Sequence, residues 1–400
     1  MSVAVGIDVA KEVHWAAVKV AETGAVLASH AVDNMPTGIA ELLDEIRCAE
    51  SEHGSVTVGV DVVGGIAALL VVMLVDAGFT VVHVPGLAVN RARQGTAGGE
   101  HKSDPKDAAV IADQVRSRND LRTLTRGRED DVELRLLVGR RRDIVDDQIR
   151  RAVRLRDLLV SINPGLERVV DITSKTGMWL LTRYVTAGEI RAAGQRRLVA
   201  HLHKAGGRGI RQKVIAALAE AAVNAAHTQR IAVPGEATAA RLIRDLANEM
   251  LAARAQLADI DSEIERVLDR HPDAALIRSL PGMGAVLTAE FLAITGGIDR
   301  FPTPDKLAAA AGLAPVLKQS GKVRYLQHAT AYNRDLRRVF YHSAFSAISC
   351  DPASKAYYQR KRAERKGHRK AVLTLARRRV NVLHAILRTR HPYTPAHVAA

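Results

Sequence analysis

The stretch VAVGIDV at residues 3–9, followed by WAAVKVA at 15–21, decides the fold of the N-terminal part of the chain. Both runs are short, apolar and rich in β-branched residues, which is typical of strands buried in a sheet. Residues 25–33 (AVLASHAVD) predict a third strand. Three consecutive strands joined by short connections can pair as an antiparallel meander, and we expect them to do so.

The elements that follow alternate between helix and strand. Residues 37–53 carry apolar side chains at helical spacing, and 55–62 (SVTVGVDV) predict a fourth strand. A buried helix over 66–77 and a strand over 79–84 complete the pattern. The order of three strands, helix, strand, helix, strand predicts a mixed sheet like that of ribonuclease H, and fits a doubly wound sheet less well.

Beyond this α/β part the chain is predicted to be all-α. Apolar stripes over 129–161 and 236–269 are long enough to indicate a coiled coil or a helical hairpin. The intervening residues 163–235 are rich in Gly and Arg, which predicts a long insertion or linker. We therefore predict three regions: a catalytic domain over 1–125, a coiled-coil region over 126–270 that includes this insertion, and a helical, basic domain over 271–400.

Charge is distributed unevenly along the chain. The whole sequence has 58 Lys and Arg against 43 Asp and Glu, a net charge of +15. Residues 321–400 alone contain 18 basic and 3 acidic residues, whereas residues 1–150 have a net charge of −6. A basic tail of this strength predicts a polyanionic partner, most commonly nucleic acid. The acidic front indicates either carboxylate chemistry or a solvated surface.

Composition argues against several other classes of protein. Cys48 and Cys350 lie far apart in sequence, so neither a disulfide framework nor a zinc motif is expected. The longest apolar run, 66–75, has ten residues, and a membrane-spanning helix needs about 20. Asp8 and Lys11 interrupt the position where a signal peptide needs apolar residues. We therefore expect a cytoplasmic protein with no membrane partner, associated with the nucleoid when it is bound to DNA.

Four aspartates form the candidate acidic site. Asp8 and Asp61 follow strands, and ligands usually bind beyond the carboxyl ends of strands in α/β sheets. Asp104 and Asp107 lie in KSDPKDAAVIAD (102–113), where Pro105 fits the first helical position and Asp104 fits the N-cap. Four converging carboxylates need hard cations such as Mg²⁺, and two such ions can support phosphodiester cleavage. Each aspartate taken alone also fits a helix cap or turn.

A serine stands in a polar, basic stretch near the C-terminus. Within GLAPVLKQSGKVRYLQHATAYNRDLRRVF (312–340), Ser320 precedes Gly321 and lies close to three cations. Such a hydroxyl could attack a phosphodiester, with cations offsetting the negative charge. No base adjoins it in sequence, so an ordinary turn fits the residues alone better.

The basic tail has few aromatic residues beyond Tyr357 and Tyr358, which favours contacts to phosphates over stacking on bases. The turn in LPGMGAVLTAEFLA (280–293) either holds a phosphate on its backbone amides or simply starts a helix. The candidate nucleic-acid-binding side chains are Lys318, Lys322, Arg324, Arg337, Arg338, Lys361, Arg362, Arg369, Lys370, Arg377, Arg378 and Arg379.

Taken together these motifs resemble one family. GIDVAK (6–11), KSDPKDA (102–108), LPGMG with LTAEFLAITGGIDRF (280–301), and KLAAAAGLAP with KQSGK (306–322) are similar to the DEDD transposases of bacterial insertion sequences of the IS110 type. Their N-terminal domain resembles the RuvC resolvase. The similarity covers essentially the whole chain apart from the stretch 163–235.

The resemblance implies a DNA recombinase with a RuvC-like Mg²⁺ site and a serine nucleophile. Asp8, Asp104 and Asp107 match the first, third and fourth acidic positions, and Ser320 matches the serine. Asp61 stands at the second position, where the family usually has Glu. The resemblance further implies a bridge RNA that pairs with donor and target DNA, and a homo-oligomer, dimer or tetramer, whose composite sites use two subunits.

Other functions remain open from the sequence. A junction-resolving endonuclease would use the four carboxylates with water as nucleophile. A nucleic-acid-binding protein without catalysis would need neither metal nor serine. A tyrosine recombinase that uses Tyr357 or Tyr358 is a further alternative.

Overall fold

The computed structural model describes residues 2–95, 103–206, 212–321 and 323–395. The chain divides into two units, Met1–Gly127 and Arg128–Ala400. The first unit is built on a six-stranded mixed sheet and the second is almost entirely helical.

The sheet of the first unit has the strand order β3-β2-β1-β4-β5-β6. Its strands are β1 (Val3–Asp8), β2 (Val13–Val20), β3 (Val26–Asp33), β4 (Val56–Val60), β5 (Thr80–His83) and β6 (Arg122–Leu124). The first three strands pair antiparallel, β1, β4 and β5 pair parallel, and β6 is antiparallel at the edge. This order confirms the predicted mixed sheet and is consistent with a ribonuclease-H-like domain. The three-residue strand β6 was not predicted.

Helices cover both faces of this sheet. The helices are α1 (Pro36–His53), α2 (Ala68–Asp76), α3 (Gly86–Gln94) and α4 (Asp104–Ser117). Alternate residues of β1 point to opposite faces: Val3, Val5 and Ile7 join the core under α1 and α2, whereas Ala4 joins the core under α3 and α4. Burial on both faces explains why β1 and β4 are largely apolar.

Two glycines let α4 lie unusually close to the sheet. Gly6 on β1 is paired with Gly59 on β4. A Cβ atom at Gly6 would lie 2.2 Å from the Ala108 carbonyl oxygen, and one at Gly59 would lie 2.3 Å from Val115 Cγ2. Any side chain here would push the helix away, because backbone atoms cannot yield as a flexible side chain can. The glycine of GIDVAK therefore fixes the height of α4 above β1.

Two long helices organise the second unit: α5 (Glu129–Ile162) and α10 (Glu236–Arg270). They pack against each other within one chain. Ion pairs cross the contact in antiparallel register, with Arg141 Nε 2.7 Å from Asp261 Oδ1 and Arg151 Nε 2.9 Å from Glu249 Oε2. The two helices therefore pack as an antiparallel pair within one chain, which matches the helical hairpin, one of the two predicted arrangements. A coiled coil between subunits stays a prediction.

Of the two predicted alternatives for 163–235, an insertion or a linker, the linker is wrong, because the described residues of this stretch are mostly helical. It contains α6 (Pro164–Val169), α7 (Lys175–Leu181), α8 (Ala187–Gly206) and α9 (Gln212–Thr228). Leu198 and Ile215, both fully buried, pack with Leu155 of α5 and Ile243 of α10 in a hydrophobic core of their own. The Ala-rich run of α9 is typical of a helix.

A second core joins the other ends of the long helices to the C-terminal elements. These elements are α11 (Ala274–Ser279), α12 (Ala285–Thr295), α13 (Pro304–Ala310), β7 (Val316–Ser320), β8 (Val323–Gln327), α14 (Arg334–Cys350), α15 (Pro352–Ala363) and α16 (His368–Thr389). Leu134 and Ile264 pack there with Phe291, Phe340 and Leu383. The predicted division of this unit at residue 270 stays a prediction. Within the described ranges no helix has the length and apolarity to span a membrane.

Candidate active site and nucleic-acid surface

Two of the predicted aspartates stand at the same edge of the first unit's sheet. Asp8 ends β1, and Asp61 follows β4, its parallel neighbour. The Val9 backbone N–H donates a hydrogen bond to Asp61 Oδ1 at 3.3 Å, which links the segment after β1 to the Asp61 carboxylate. Parallel pairing therefore brings the two strand ends together, as the sequence predicted.

Asp107 reaches this site from α4. Only 5% of Asp107 is exposed, and Nη1 of Arg93 lies 2.9 and 2.8 Å from its two carboxylate oxygens. Arg93 comes from α3, so two helices meet at this carboxylate. The close packing of α4 over Gly6 sets the position of the helix that carries Asp107.

The electrostatics couple Asp61 to Asp107. Burial raises the pKa of Asp61, and the negative charge of Asp107 raises it further. The Val9 N–H and His83 act in the opposite direction, since each favours the ionised carboxylate. The two carboxylates are thus close enough to repel, which is the condition that a bound cation would relieve.

Asp104 is placed differently from the prediction. Ser103 is the N-cap of α4 and Asp104 is already helical, so the helix begins one residue earlier than the Pro105 position implied. Asp104 is exposed, whereas Asp107, one turn later, is buried. Among the described residues no three His, Cys, Asp or Glu side chains are grouped closely enough to hold a metal ion. Convergence of all four aspartates stays a prediction.

The donor set nevertheless fits a hard divalent cation. All of the candidate ligands are carboxylate oxygens, which Mg²⁺ prefers. Asp61 carries a pKa raised by burial and by a neighbouring carboxylate, and the Arg93 guanidinium provides the positive charge at Asp107. Asp61 and Asp107 are the two carboxylates whose charges interact here, and a cation held jointly with Asp8 and Asp104 stays a prediction.

A buried histidine and an asparagine hold the segment that follows Asp8. His14 on β2 is fully buried, and its Nδ1 accepts a hydrogen bond from the Ala10 N–H at 3.1 Å. The Asn34 side chain donates to the Lys11 carbonyl at 3.0 Å. Neither these two residues nor Arg93 was predicted, because each contact joins elements that are distant in sequence and carries no motif.

Ser320 lies on a β-hairpin rather than in an irregular turn. It is the last residue of β7 and pairs with Val323, the first residue of β8. Gly321 follows with φ +54°, the left-handed region that a two-residue hairpin connection requires and glycine adopts easily. Lys322 falls outside the described residues. Ser320 is exposed, so a substrate can reach its hydroxyl.

The hairpin register separates the predicted cations. Cross-strand partners share a face, as do residues two apart along a strand. Lys318, paired with Tyr325, is on the Ser320 face, whereas Arg324, paired with Gln319, is on the opposite face. The expected neutralisation of phosphate charge at Ser320 therefore falls to Lys318 more than to Arg324.

The C-terminal helices present some predicted cations to solvent and bury one. Arg369, Lys370 and Arg378 are exposed. Arg337 lies over the Tyr332 ring, Arg338 pairs with Glu290, Arg377 with Asp305 and Lys361 with Glu364, and Arg362 donates to the Lys366 carbonyl.

Arg379 corrects the prediction of a surface phosphate contact. It is 3% exposed and donates to Ser343 Oγ and to the Pro281 carbonyl, and burial lowers its pKa to about 10. Its guanidinium instead links α16 to α14 and to the turn at Pro281 within the second unit.

The glycine turn before α12 is packed against the protein. Gly282 has φ +81°, and a Cβ atom there would lie 2.5 Å from the Ser343 carbonyl oxygen of α14. A groove of about 770 Å³ beside the turn is lined by Asp261 and Glu265, which oppose a phosphate. The predicted alternative of a helix start describes this turn better than a phosphate site.

Comparison with known proteins identifies the family. Residues 5–164 match a family model of DEDD transposases of IS110, described as transposase, and residues 274–359 match the model described as transposase IS116/IS110/IS902 family. The chain is 41% identical to the 42 kDa protein of insertion element IS900 of Mycobacterium paratuberculosis, over 99% of this chain and 98% of that protein.

Two further relatives come from Streptomyces. Identity is 42% to the 44.8 kDa protein of insertion element IS116 of Streptomyces clavuligerus, over 98% of this chain and 96% of that one. It is 36% to the 43.6 kDa protein of insertion element IS110 of Streptomyces coelicolor, over 97% and 94%. With a mixed sheet bearing paired carboxylates at one edge and full-length similarity of this degree, the chain belongs to the IS110 family of insertion-sequence transposases.

Proposed function

We propose that this transposase cleaves and exchanges the DNA strands of its insertion sequence through a Mg²⁺-dependent acidic site and a serine nucleophile. The observation that carries the proposal is the parallel pairing of β1 and β4, which brings Asp8 and Asp61 to one edge of the sheet within a chain that belongs to the IS110 family. DEDD transposases usually use a divalent metal, and Mg²⁺ is the proposed ion.

The acidic side chains have a defined role in this proposal. Asp8, Asp61 and Asp107, with Asp104, would hold the cation, which when bound supplies positive charge to a phosphate undergoing cleavage. The Val9 N–H orients Asp61, and Arg93 fixes Asp107 by donating to both of its carboxylate oxygens.

Ser320 is proposed to form the covalent intermediate. Its Oγ attacks phosphorus, an Oγ–P bond forms, and one P–O bond of the DNA backbone breaks. The proton that leaves the serine hydroxyl balances the proton gained by the departing DNA hydroxyl. Attack by a hydroxyl of the second DNA strand then releases Ser320 and completes the exchange. Exposure of Ser320 at the end of β7 supports this role.

The partners are proposed on the same basis. Donor and target DNA are the substrates, a noncoding bridge RNA selects them, and the active species is a homo-oligomer of two or four chains. Noncoding DNA beside the gene that contains loops complementary to both DNA junctions would support the RNA. A full-length protein that binds no RNA transcribed from the flanking DNA would contradict this part.

The decisive experiment looks for the covalent adduct. Protein, RNA, Mg²⁺ and labelled DNA are incubated, denatured and separated on a gel. We expect an adduct with the wild-type chain, none with Ser320→Ala, and a trace with Ser320→Cys because a thiolate is intrinsically nucleophilic. The matched control is Ser349→Ala, which changes an exposed serine of the same unit and should leave the adduct unchanged.

Binding measurements complete this test. Ser320→Ala should bind DNA and RNA with unchanged affinity, since it removes only one hydroxyl. An adduct that persists in Ser320→Ala shows that another residue attacks, with Tyr357 and Tyr358 next to be tested. Cleavage with no adduct in the wild-type chain supports the junction-resolving endonuclease, and no Mg²⁺-dependent cleavage supports a binding protein.

A further inference from the structure

We infer that the Ser320 face of the β7–β8 hairpin is a stacking platform for an unpaired DNA base, supplied by Tyr325, with Lys318 as the accompanying phosphate contact. The inference rests on the proposed function, since Ser320 is taken as the nucleophile. It adds the chemical form of the substrate, a DNA strand whose base next to the reacting phosphate is unstacked.

Both strands of the hairpin are solvent-exposed in the part of the chain that the structure describes. All ten residues of β7 and β8 are exposed, including Val323 at 61% and Tyr325 at 54%. A two-stranded hairpin exposed on both faces is marginally stable in water. A binding partner that covers one face would therefore contribute to its order.

The register groups three functional side chain types on one face. Ser320 pairs with Val323, and two residues farther along, Lys318 pairs with Tyr325. Diagonal neighbours on one face lie roughly 7–8 Å apart, within reach of an aromatic ring. Tyr325 can thus contact the base of a nucleotide whose phosphate lies at Ser320, while Lys318 contacts the same strand.

Charge favours nucleic acid over a protein partner. Residues 316–327 (VLKQSGKVRYLQ) contain three cations and no acidic residue. A second copy of this chain, with its net charge of +15, is a poorer overall match than a polyanion, although its residues 1–150 have a net charge of −6. A DNA strand offers both the phosphates that attract cations and the base faces that stack on tyrosine.

The aromatic content of the chain makes Tyr325 distinctive. Aromatic residues make up 4% of the sequence, and only Tyr325 and Phe345 are about half exposed among the described residues. Val316 and Val323 are exposed on the same face as Tyr325, and an exposed apolar patch marks an interaction site. Base stacking tolerates any sequence, which suits an enzyme whose sites are chosen by other means.

The experiment uses full-length protein, RNA and Mg²⁺ with an oligonucleotide that spans the end of the element. Each adenine is replaced in turn by 2-aminopurine, whose fluorescence falls when it stacks. The Ser320→Ala background holds the complex before any covalent step. We expect one position to be quenched, the quenching to persist in Tyr325→Phe, and to be lost in Tyr325→Leu.

The rate of adduct formation is measured separately, in chains that retain Ser320. Tyr325→Leu should slow adduct formation by about 10-fold, and Tyr325→Phe should restore the wild-type rate, because stacking needs the ring and not the hydroxyl. Lys318→Ala should slow it too, and Lys318→Arg should recover most of the rate. The matched control is Leu326→Ala on the opposite face, which should alter neither quenching nor rate.

The outcomes separate this inference from the proposed function. Unchanged quenching and rate in Tyr325→Leu, with an adduct that still depends on Ser320, overturn only the stacking platform. An adduct that survives Ser320→Ala overturns the nucleophile, while the quenching scan still reports on Tyr325. A changed molecular mass of the Tyr325→Leu assembly, with quenching intact, shows that the face binds protein and overturns the inference.

Discussion

The function proposed for Asp61 conflicts with the stability of the fold. Its pKa is raised by burial and by the charge of Asp107, so the folded state disfavours the ionised form that would bind a cation. A raised pKa in the folded state means that ionisation costs stability, and the cost grows as pH rises from the ordinary range of an aspartate through that raised pKa. Sites that gather like charges for catalysis commonly accept such a cost.

The substitution Asp61→Asn tests whether the charge of Asp61 costs stability. Asparagine keeps the oxygen that accepts from Val9 and removes the charge, so the melting temperature without metal should equal or exceed that of the wild type. The difference should grow as pH rises through the raised pKa of Asp61 and stay constant above it. Adduct formation should fall by about 100-fold or more, as expected on loss of an electrostatic catalytic group. Differential scanning calorimetry and the gel assay measure these effects.

The control for this variant is Glu41→Gln, which removes an exposed carboxylate from the same unit and should leave both quantities unchanged. A marked fall in melting temperature for Asp61→Asn in the absence of metal would show that the Asp61 charge is stabilising, contrary to this account.

Gly6 is a second residue at which the addition of one carbon atom should disturb the fold. A Cβ at this position would lie 2.2 Å from both the Ala108 carbonyl oxygen and the Ala112 nitrogen. Gly6→Ala should therefore lower the free energy of unfolding by about 1–3 kcal/mol through overpacking and displace the helix that carries Asp107. Urea titration measures the stability and adduct formation measures the site.

Gly86→Ala provides the comparison, since Gly86 begins α3 and nothing lies within 4 Å of its added Cβ. That variant should be tolerated. A Gly6→Ala chain with normal stability would mean that α4 can shift without cost, and the geometric role assigned to this glycine would be wrong.

At the scale of elements, the charges in the first turn of α16 oppose folding of that helix. His368, Arg369 and Lys370 occupy its first turn, which has no acidic residue. Positive side chains at a helix N-terminus oppose the helix dipole, so this arrangement destabilises the isolated helix. A polyanion bound there would reverse the penalty, because phosphates favour both the cations and the exposed backbone amides.

We therefore expect the double change of Arg369→Ala and Lys370→Ala to weaken nucleic-acid binding about equally across sequences. If each side chain contacts one phosphate, the slope of log K against log salt should fall in magnitude by roughly 1.8. Fluorescence anisotropy over a salt series measures both quantities. An unchanged salt slope in the double variant would exclude phosphate contact.

Arg379→Ala, in contrast, should lower the melting temperature, because the buried guanidinium donates hydrogen bonds to Ser343 and Pro281.

Several elements were predictable because their signals are local. The alternation of strands and helices over residues 3–84, and both long helices, follow from apolar spacing and turn residues. The hairpin β7–β8 was missed, although two runs flanking Gly321 and Lys322 carry a recognisable hairpin pattern. The helices within 163–235 were not predicted, because the glycine and arginine content of this stretch obscures the helical alanine run of α9.

The candidate site was predictable only in part, for a different reason. Strand ends indicate Asp8 and Asp61, since parallel pairing places them at one edge. The contact between Arg93 and Asp107 joins α3 to α4, and no sequence pattern specifies it. The burial of Arg379 likewise depends on α14 and the turn at Pro281, which lie far away in sequence. Tertiary packing decides which members of a charged run face solvent.

At the scale of the whole chain, the second unit contains two hydrophobic cores served by the same pair of helices. One contains Leu198, and the other contains Leu383. Between the two groups of buried residues on α5, Ile149 and Val153 remain 59% and 56% exposed. Separate cores joined by a partly solvated helical pair favour two cooperative units rather than one.

Hydrogen exchange of the full-length chain tests whether the two cores of the second unit unfold independently. Leu198→Ala should create a cavity worth about 2–5 kcal/mol and lower amide protection over α6–α9, with protection in α12, α14 and α16 retained. Leu383→Ala, the matched change in the other core, should give the reverse pattern, since both leucines are fully buried. Loss of protection throughout the second unit from either change would show that α5 and α10 couple the cores into one cooperative unit. With independent cores, Leu198→Ala should retain phosphate-dependent binding through α16, because the surface that carries Arg369 and Lys370 belongs to the undamaged core.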